Sequence, residues 1–227
     1  MSANRRSRTY PRFQLSTKVK ICGITNVADA ELAASHGAWA IGMVFHRDSP
    51  RFCEQAAAAE IGATLKRRLE VVGVFVNMPL DELVPLAESA GLTIVQLHGD
   101  EGPSYCQESA RRTGLKVIKA ARVRDAVSVR ALSAYSTDYH MLDTFVPGRP
   151  GGTGERFDWS LAAEDRSQIP LILSGGLDSA NVREAIATAR PFAIDVSSGV
   201  EATPGHKHPE ELARLFEAVR AIAPAPV

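Results

Sequence analysis

Short apolar runs rich in β-branched and aromatic residues recur along the chain. They are VKICGI (19–24), AWAIGMVF (38–45), EVVGVFV (70–76), TIVQLHG (93–99), KVIKAA (116–121), YHMLDT (139–144), PLILSGG (170–176) and PFAIDVSSG (191–199). Each is followed by a glycine or polar turn and then by a stretch with helical spacing of apolar residues. The helical stretches are VADAELAASHG, CEQAAAAEIGATLKRR, PLDELVPLAESAG, GPSYCQESARRTG, DAVSVRALSAYS, DWSLAAED, SANVREAIATAR and, after the last run, HPEELARLFEAVRAIA. Thr25-Asn26 reads as the start signal of the first helix. Strand alternating with helix predicts a parallel sheet. Eight near-equal units predict a single α/β domain of the (β/α)8 barrel class over residues 18–227, with an open doubly wound sheet as the competing fold. Residues 1–17, MSANRRSRTYPRFQLST, are basic and lack apolar periodicity. They are expected to form a disordered tail, a transit peptide or nucleic-acid arm being the other readings; no apolar stretch of a secretory signal follows the basic start.

Composition narrows the function. Lys+Arg and Asp+Glu are equal at 26 each, so overall charge gives no reason to expect a nucleic-acid or membrane partner. No apolar run reaches the roughly 18 residues of a membrane helix. The three cysteines, Cys22, Cys53 and Cys106, are odd in number and widely spaced, which fits a reducing cytoplasm and neither a disulfide framework nor a zinc site. No dinucleotide fingerprint, Walker loop or HExxH motif is present, so nothing suggests a dinucleotide, ATP or a zinc hydrolase.

In a (β/α)8 barrel the carboxyl ends of the strands carry the chemistry. Cys22, Phe45, Asn77, His98, Asp143, Ser174 and Ser197 lie at or just past such ends. The last two strands finish in LSGGL (173–177) and DVSSGVE (195–201), where Gly175, Gly176, Ser197, Ser198 and Gly199 suit close approach of backbone N–H groups to a phosphate. The competing reading is that these glycines only turn the chain. Asp178-Ser179 reads as a cap for the next helix. Residues 145–159, FVPGRPGGTGERFDW, are long for a βα loop and read as a lid, with Gly152, Thr153 and Gly154 offering further anion contacts; a plain insertion is the alternative. Cys22 is read as a proton-abstracting base or as an inert buried thiol, and Cys53 and Cys106 as inert.

KICGIT, GMVFHRDSPR, VGVFVN, VQLHG, LDT, GGTGERFDW, LSGGL and DVSSGVE, in this order, resemble the phosphoribosylanthranilate isomerase family of tryptophan biosynthesis over about residues 18–222. The resemblance implies a cofactor-free, metal-free barrel that takes a small phosphorylated substrate. It implies an Amadori rearrangement of N-(5-phosphoribosyl)anthranilate to the 1-deoxyribulose 5-phosphate, with Cys22 as base, Asp143 as general acid and Arg51 on the anthranilate carboxylate. Asn77, Gln96 and His98 are expected to line the mouth. The basic tail lies outside the resemblance, VPGRPGG departs from it, and the oligomeric state stays open between monomer and homodimer. The alternatives are a histidine-pathway or bifunctional isomerase, whose first-strand base is a carboxylate; a metal-dependent ribulose-phosphate epimerase; and a non-catalytic phosphate-binding barrel.

Overall fold

A computed structural model of the protein describes residues 17–144 and 158–222. The apolar runs form eight strands: β1 (Lys18–Cys22), β2 (Ala40–Val44), β3 (Glu70–Phe75), β4 (Ile94–Leu97), β5 (Lys116–Val123), β6 (Tyr139–Thr144), β7 (Leu171–Leu173) and β8 (Ala193–Val196). They pair in parallel in sequence order, and β8 returns to β1, so the sheet is a closed barrel and the open-sheet alternative falls. Outside it run α1 (Val27–Ser35), α2 (Gln55–Leu65), α3 (Leu80–Ser89), α4 (Pro103–Thr113), α5 (Ala126–Arg130), α6 (Val182–Ala189) and α7 (Pro209–Arg220). Asn26 caps α1 as its sequence suggests, its Oδ1 accepting from Asp29 N–H at 2.9 Å.

Two apolar layers follow from strand alternation. The larger lies between sheet and helices and includes Ile21, Ile41, Phe75, Leu83, Leu97 and Leu215. The smaller fills the barrel: Ala40, Val72, Ile94, Ile118, Ala120, Met141, Ile172 and Ala193. Trp39, Tyr139 and Phe192 pack against it in mutual aromatic contact, and the Lys18 ammonium sits 5.1 Å from the Phe192 ring centre. Two residues further along the same strand faces the barrel interior turns polar: Gln96 after Ile94, Asp143 after Met141, Ser174 after Ile172, Asp195 after Ala193. The apolar plug therefore ends in a layer of buried polar side chains at the carboxyl ends of the strands.

Two expected helices differ, and one element was not expected. DWSLAAED is not an α-helix but a 3-10 turn, Trp159–Glu164. It is too short to propagate an α-helix, and Trp159 and Ala162, three apart, are brought to one buried side by the tighter winding. DAVSVRALSAYS gives only the five-residue α5, opened by a reciprocal Asp125–Ser128 capping box, and then a 3-10 turn over Ala131–Ala134. Between β8 and α7 stands an antiparallel hairpin, β9 (Glu201–Thr203) with β10 (His206–Lys207), for which the polar stretch EATPGHK carries no strand signal.

Buried ion pairs brace the barrel's carboxyl-end loops. Glu101 accepts from the backbone N–H groups of Asn77 (2.7 Å) and Gly99 (2.8 Å) and from Lys119 Nζ (2.9 Å), tying the loops after β3 and β4 to β5. Removing one partner of such a pair leaves a buried charge unmatched, which costs about 3–5 kcal/mol, whereas exposed pairs contribute about 0–1 kcal/mol. Lys119→Ala is therefore expected to lower the urea-unfolding free energy by about 3 kcal/mol or more. Lys116→Ala, which breaks the half-exposed pair with Glu70, should change it by less than about 1 kcal/mol. Equal effects of the two substitutions would show that Glu101 does not depend on Lys119.

Candidate active site

Cys22 ends β1, and its side chain lies with that of Lys20 on the barrel face of the strand. The two meet over Gly42 of β2, the register partner of Cys22. A Cβ on Gly42 would stand 2.8 Å from Cys22 Sγ and 2.9 Å from Lys20 Nζ, so the missing side chain is what admits both groups. Lys20 is fully buried and donates to Asp195 Oδ1 on β8 at 2.8 Å. Asp195 Oδ2 accepts from Ser174 Oγ on β7 at 3.3 Å. Burial pushes the Cys22 thiol above its ordinary pKa and Asp195 adds to the rise, while the ammonium groups of Lys20 and Lys207 work against it.

Asp143 ends β6 and is buried. Its Oδ1 accepts from Thr144 N–H at 2.9 Å, and its Oδ2 lies 3.1 Å from His98 Nε2. His98 Nδ1 in turn lies 2.9 Å from Gln96 Nε2, which also donates to Met141 Sδ at 3.3 Å. The amide N–H facing Nδ1 puts the ring proton on Nε2, where it points at Asp143. Gln96 Oε1 is buried with no hydrogen-bond partner among the described residues. Gln96, His98 and Asp143 thus form one chain of contacts across the mouth.

Arg51 reaches the mouth from the loop after β2, its Cδ lying over Gly23. Its guanidinium is forked on Glu201 of β9, with Nε at 2.9 and 3.0 Å from the two carboxylate oxygens and Nη2 at 2.7 Å. Glu201 also accepts from Lys207 Nζ at 2.8 Å, and Lys207 donates to the Cys22 carbonyl oxygen at 2.6 Å. The unforeseen hairpin therefore belongs to the site: it pins the backbone of Cys22 and steers Arg51.

Asn77 is placed differently from Gln96 and His98. Its backbone adopts a left-handed conformation (φ 51°) and its Oδ1 accepts from Asp100 N–H at 2.8 Å, so its side chain links two loops. Gly175 and Gly176 both have positive φ, and a Cβ on Gly175 would collide with Thr144 Oγ1. Gly199 is bridged to Asp178, which joins the loops after β7 and β8 into one surface containing Gly175, Gly176, Ser198 and Gly199. Ser197 Oγ, beside Gly23, is buried without a hydrogen-bond partner among the described residues. Asp178 does not cap α6: it closes the turn before it, Oδ1 accepting from Ala180 and Asn181 N–H at 2.9 Å each, and Asn181 occupies the cap position. Gly152, Thr153, Gly154 and the rest of the expected lid up to residue 157 lie outside the described residues, as does the expected tail up to residue 16.

Lys20, Asp195, Lys207, Glu201 and Gly42 were not read as site residues from the sequence. Lys20 carried a signal: a lysine two residues before Cys22, inside the apolar run VKICGI, shares its face.

The model of the N-(5'-phosphoribosyl)anthranilate isomerase family matches residues 19–218. The chain belongs to that family. It is 48% identical over 207 residues to the N-(5'-phosphoribosyl)anthranilate isomerase of Citrifermentans bemidjiense, covering 91% of this chain and 98% of the relative. The crystal structure of phosphoribosyl anthranilate isomerase from Thermotoga maritima superposes with a TM-score of 0.83 at 40% identity, covering 91% of this chain and all of that one. A further isomerase structure, in complex with reduced 1-(o-carboxyphenylamino)-1-deoxyribulose 5-phosphate, superposes with a TM-score of 0.80 at 39% identity and the same coverage. Family membership makes the barrel mouth the place to seek the chemistry. No helix among the described residues is long and apolar enough to cross a membrane.

Burial alone would raise the Glu201 pKa, but Arg51 and Lys207 outweigh it and hold the carboxyl below its ordinary value. A carboxylate lowered on folding stabilises the fold above its unfolded pKa, about 4.3, and that contribution is lost as pH falls through the lower folded value. Glu201→Gln should therefore be less stable than wild type at pH 7, with the gap in chemical-denaturation free energy closing below about pH 4. A gap independent of pH would separate Glu201 from this linkage.

Proposed function

We propose that the protein catalyses the Amadori rearrangement of N-(5'-phosphoribosyl)anthranilate to 1-(o-carboxyphenylamino)-1-deoxyribulose 5-phosphate, in the cytoplasm, with Cys22 as base and Asp143 as general acid. The observation that carries this reading is the juxtaposition, in one barrel mouth, of a buried thiol on β1, a buried carboxyl on β6 and the joined glycine loops after β7 and β8. Three free cysteines, all buried, support a reducing compartment.

The chemistry needs two proton transfers at different points of one sugar. Asp143, in its protonated form, delivers a proton to the ring oxygen as the C1–O bond breaks. The anilino nitrogen's lone pair forms the C1=N bond, giving an open-chain iminium. The Cys22 thiolate takes the proton from C2, and the C–H electrons form a C1=C2 bond while the iminium electrons return to nitrogen. The enolamine then tautomerises, C1 gaining a proton and the C2 hydroxyl losing one, to give the ketone. The iminium acidifies C2–H, so a single mild base suffices. His98 and Thr144 N–H orient the Asp143 carboxyl. The loops with Gly175, Gly176, Ser197, Ser198 and Gly199 hold the phosphate, with Gly152, Thr153 and Gly154 as further contacts, while Gln96 lines the sugar pocket. Arg51 takes the anthranilate carboxylate through the edge of its guanidinium turned away from Glu201. The histidine-pathway alternative carries a second phosphoribosyl group, and the segments after β3 and β4, VNMP and HGDE, offer it the exposed Asp100 in place of a glycine-rich anion loop.

Fluorescence decay of freshly generated N-(5'-phosphoribosyl)anthranilate, followed with purified protein, is the direct test. Wild type should turn it over and leave the histidine intermediate untouched; comparable kcat/KM on both would sink the single-substrate assignment. Cys22→Ala and Asp143→Asn should each lower kcat by about 10²-fold or more while the far-UV spectrum stays that of the barrel. Near-normal turnover in either removes that residue from the mechanism.

Arg51→Ala is expected to act chiefly on KM. A carboxylate held equally in ground and transition state contributes uniform binding. Loss of a charged hydrogen bond of about 1.5–3 kcal/mol corresponds to roughly 10- to 100-fold in KM. An unchanged KM would exclude the contact.

A further inference from the structure

We propose that Lys20, held in place by Asp195, is a positioning residue that favours the thiolate form of Cys22. The inference rests on the reading of Cys22 as base and adds the device that makes a buried thiol able to act as one.

Lys20 has no exposure to solvent, yet it lies in the barrel's polar layer and not on its outer surface. Its Nζ is tethered to Asp195 Oδ1 and faces Cys22 Sγ across the space that Gly42 leaves open. Asp195 is satisfied on both oxygens, by Lys20 and by Ser174, so its own orientation is set and the remaining Lys20 N–H groups are free to point at sulfur. An ion pair with only a structural role gains little here, since well-packed apolar side chains of similar volume are often as stabilising.

Charge accounting around Cys22 points the same way. Lys20 comes from its own strand, Asp195 from β8, Lys207 from β10, Glu201 from β9 and Arg51 from the loop after β2. Three cations and two anions leave one positive charge in excess, and a thiolate neutralises it. Burial opposes that thiolate and Asp195 opposes it further, so Lys20, with Lys207 behind it, is the favourable influence. When the thiol ionises, its proton passes to water at the mouth. When the thiolate takes the C2 proton of substrate, the thiol is restored, and the next ionisation resets the base. Cys53 has no such neighbour, and burial pushes it up to about 11; Cys106 feels Lys119, which is engaged by Glu101, and burial still pushes it up to about 11.

The test reads the thiol itself. The pH dependence of iodoacetamide alkylation at Cys22, located by peptide mass mapping in the full-length protein, gives its ionisation midpoint independently of turnover. Lys20→Met should raise that midpoint by more than about one pH unit and lower kcat/KM near pH 7 by at least about tenfold, with KM little changed and activity recovering at high pH. Asp195→Asn, which removes the opposing charge, should move the midpoint down. Opposite shifts are the signature of an electrostatic role, because loss of a structural brace would disturb both variants alike. An unmoved midpoint in Lys20→Met, or shifts of the same sign, overturns the proposal. If Lys20→Met does not fold, Asp195→Asn decides: a downward shift sustains it, and no shift or an upward one overturns it. Failure of the base role has a separate signature, since it appears as near-normal turnover in Cys22→Ala while these titrations still report on the thiol.

Discussion

Strand β1 must lie against β8 if a parallel sheet is to have no open edge, and that seam sets residues 175 positions apart side by side. In the register of the seam Lys20 stands directly opposite Asp195. Both side chains enter the barrel, where a lone charge is costly, so each makes the other tolerable. Cys22 follows one pleat later on β1, and Ser197 stands just past the end of β8. Closure of the barrel and assembly of the site are thus a single event: a β1 that slipped by one residue would turn Lys20 and Cys22 outward and leave Asp195 unpaired inside.

Other buried charges are arranged around the same mouth. Glu201 gathers Arg51 and Lys207, Glu101 gathers Lys119 and two backbone N–H groups, and Asp143 is held by His98 and Thr144. Each carboxylate sits where loops from different strands meet. The apolar plug of Ile94, Ile118, Met141 and Ile172 beneath supplies rigidity, and the polar layer supplies orientation. A rigid base with charged braces above it lets catalytic groups from distant parts of the sequence hold fixed relative positions.

The apolar runs gave all eight strands because each is buried on both faces and bounded by turn residues. The placement of Cys22 and Asp143 at strand ends, and of the glycine loops after the last two strands, was legible in the order of the runs. Lys20 and Asp195 were not, since a single charge inside an apolar run looks like a tolerated edge residue until its partner across the seam is known. Glu201 was hidden for a related reason: Arg51, 150 residues away, makes it part of the site. The hairpin that carries it is polar and two to three residues per strand, so neither hydrophobic period marks it. The helix expected at DWSLAAED became a 3-10 turn because burying Trp159 and Ala162 on one side mattered more than helical propensity.

Gly42 gives the site a property of its own. The space beside Cys22 is bounded by the main chain of β2, with no side chain between. Rotamer changes on that strand therefore cannot widen or narrow the gap between sulfur and ammonium. Its dimensions are those of the sheet, which a closed hydrogen-bonded cylinder allows to vary very little. On the proposed reading of Cys22 as base, a thiol–ammonium pair walled by backbone on this side leaves little reorganisation to accompany proton transfer at sulfur.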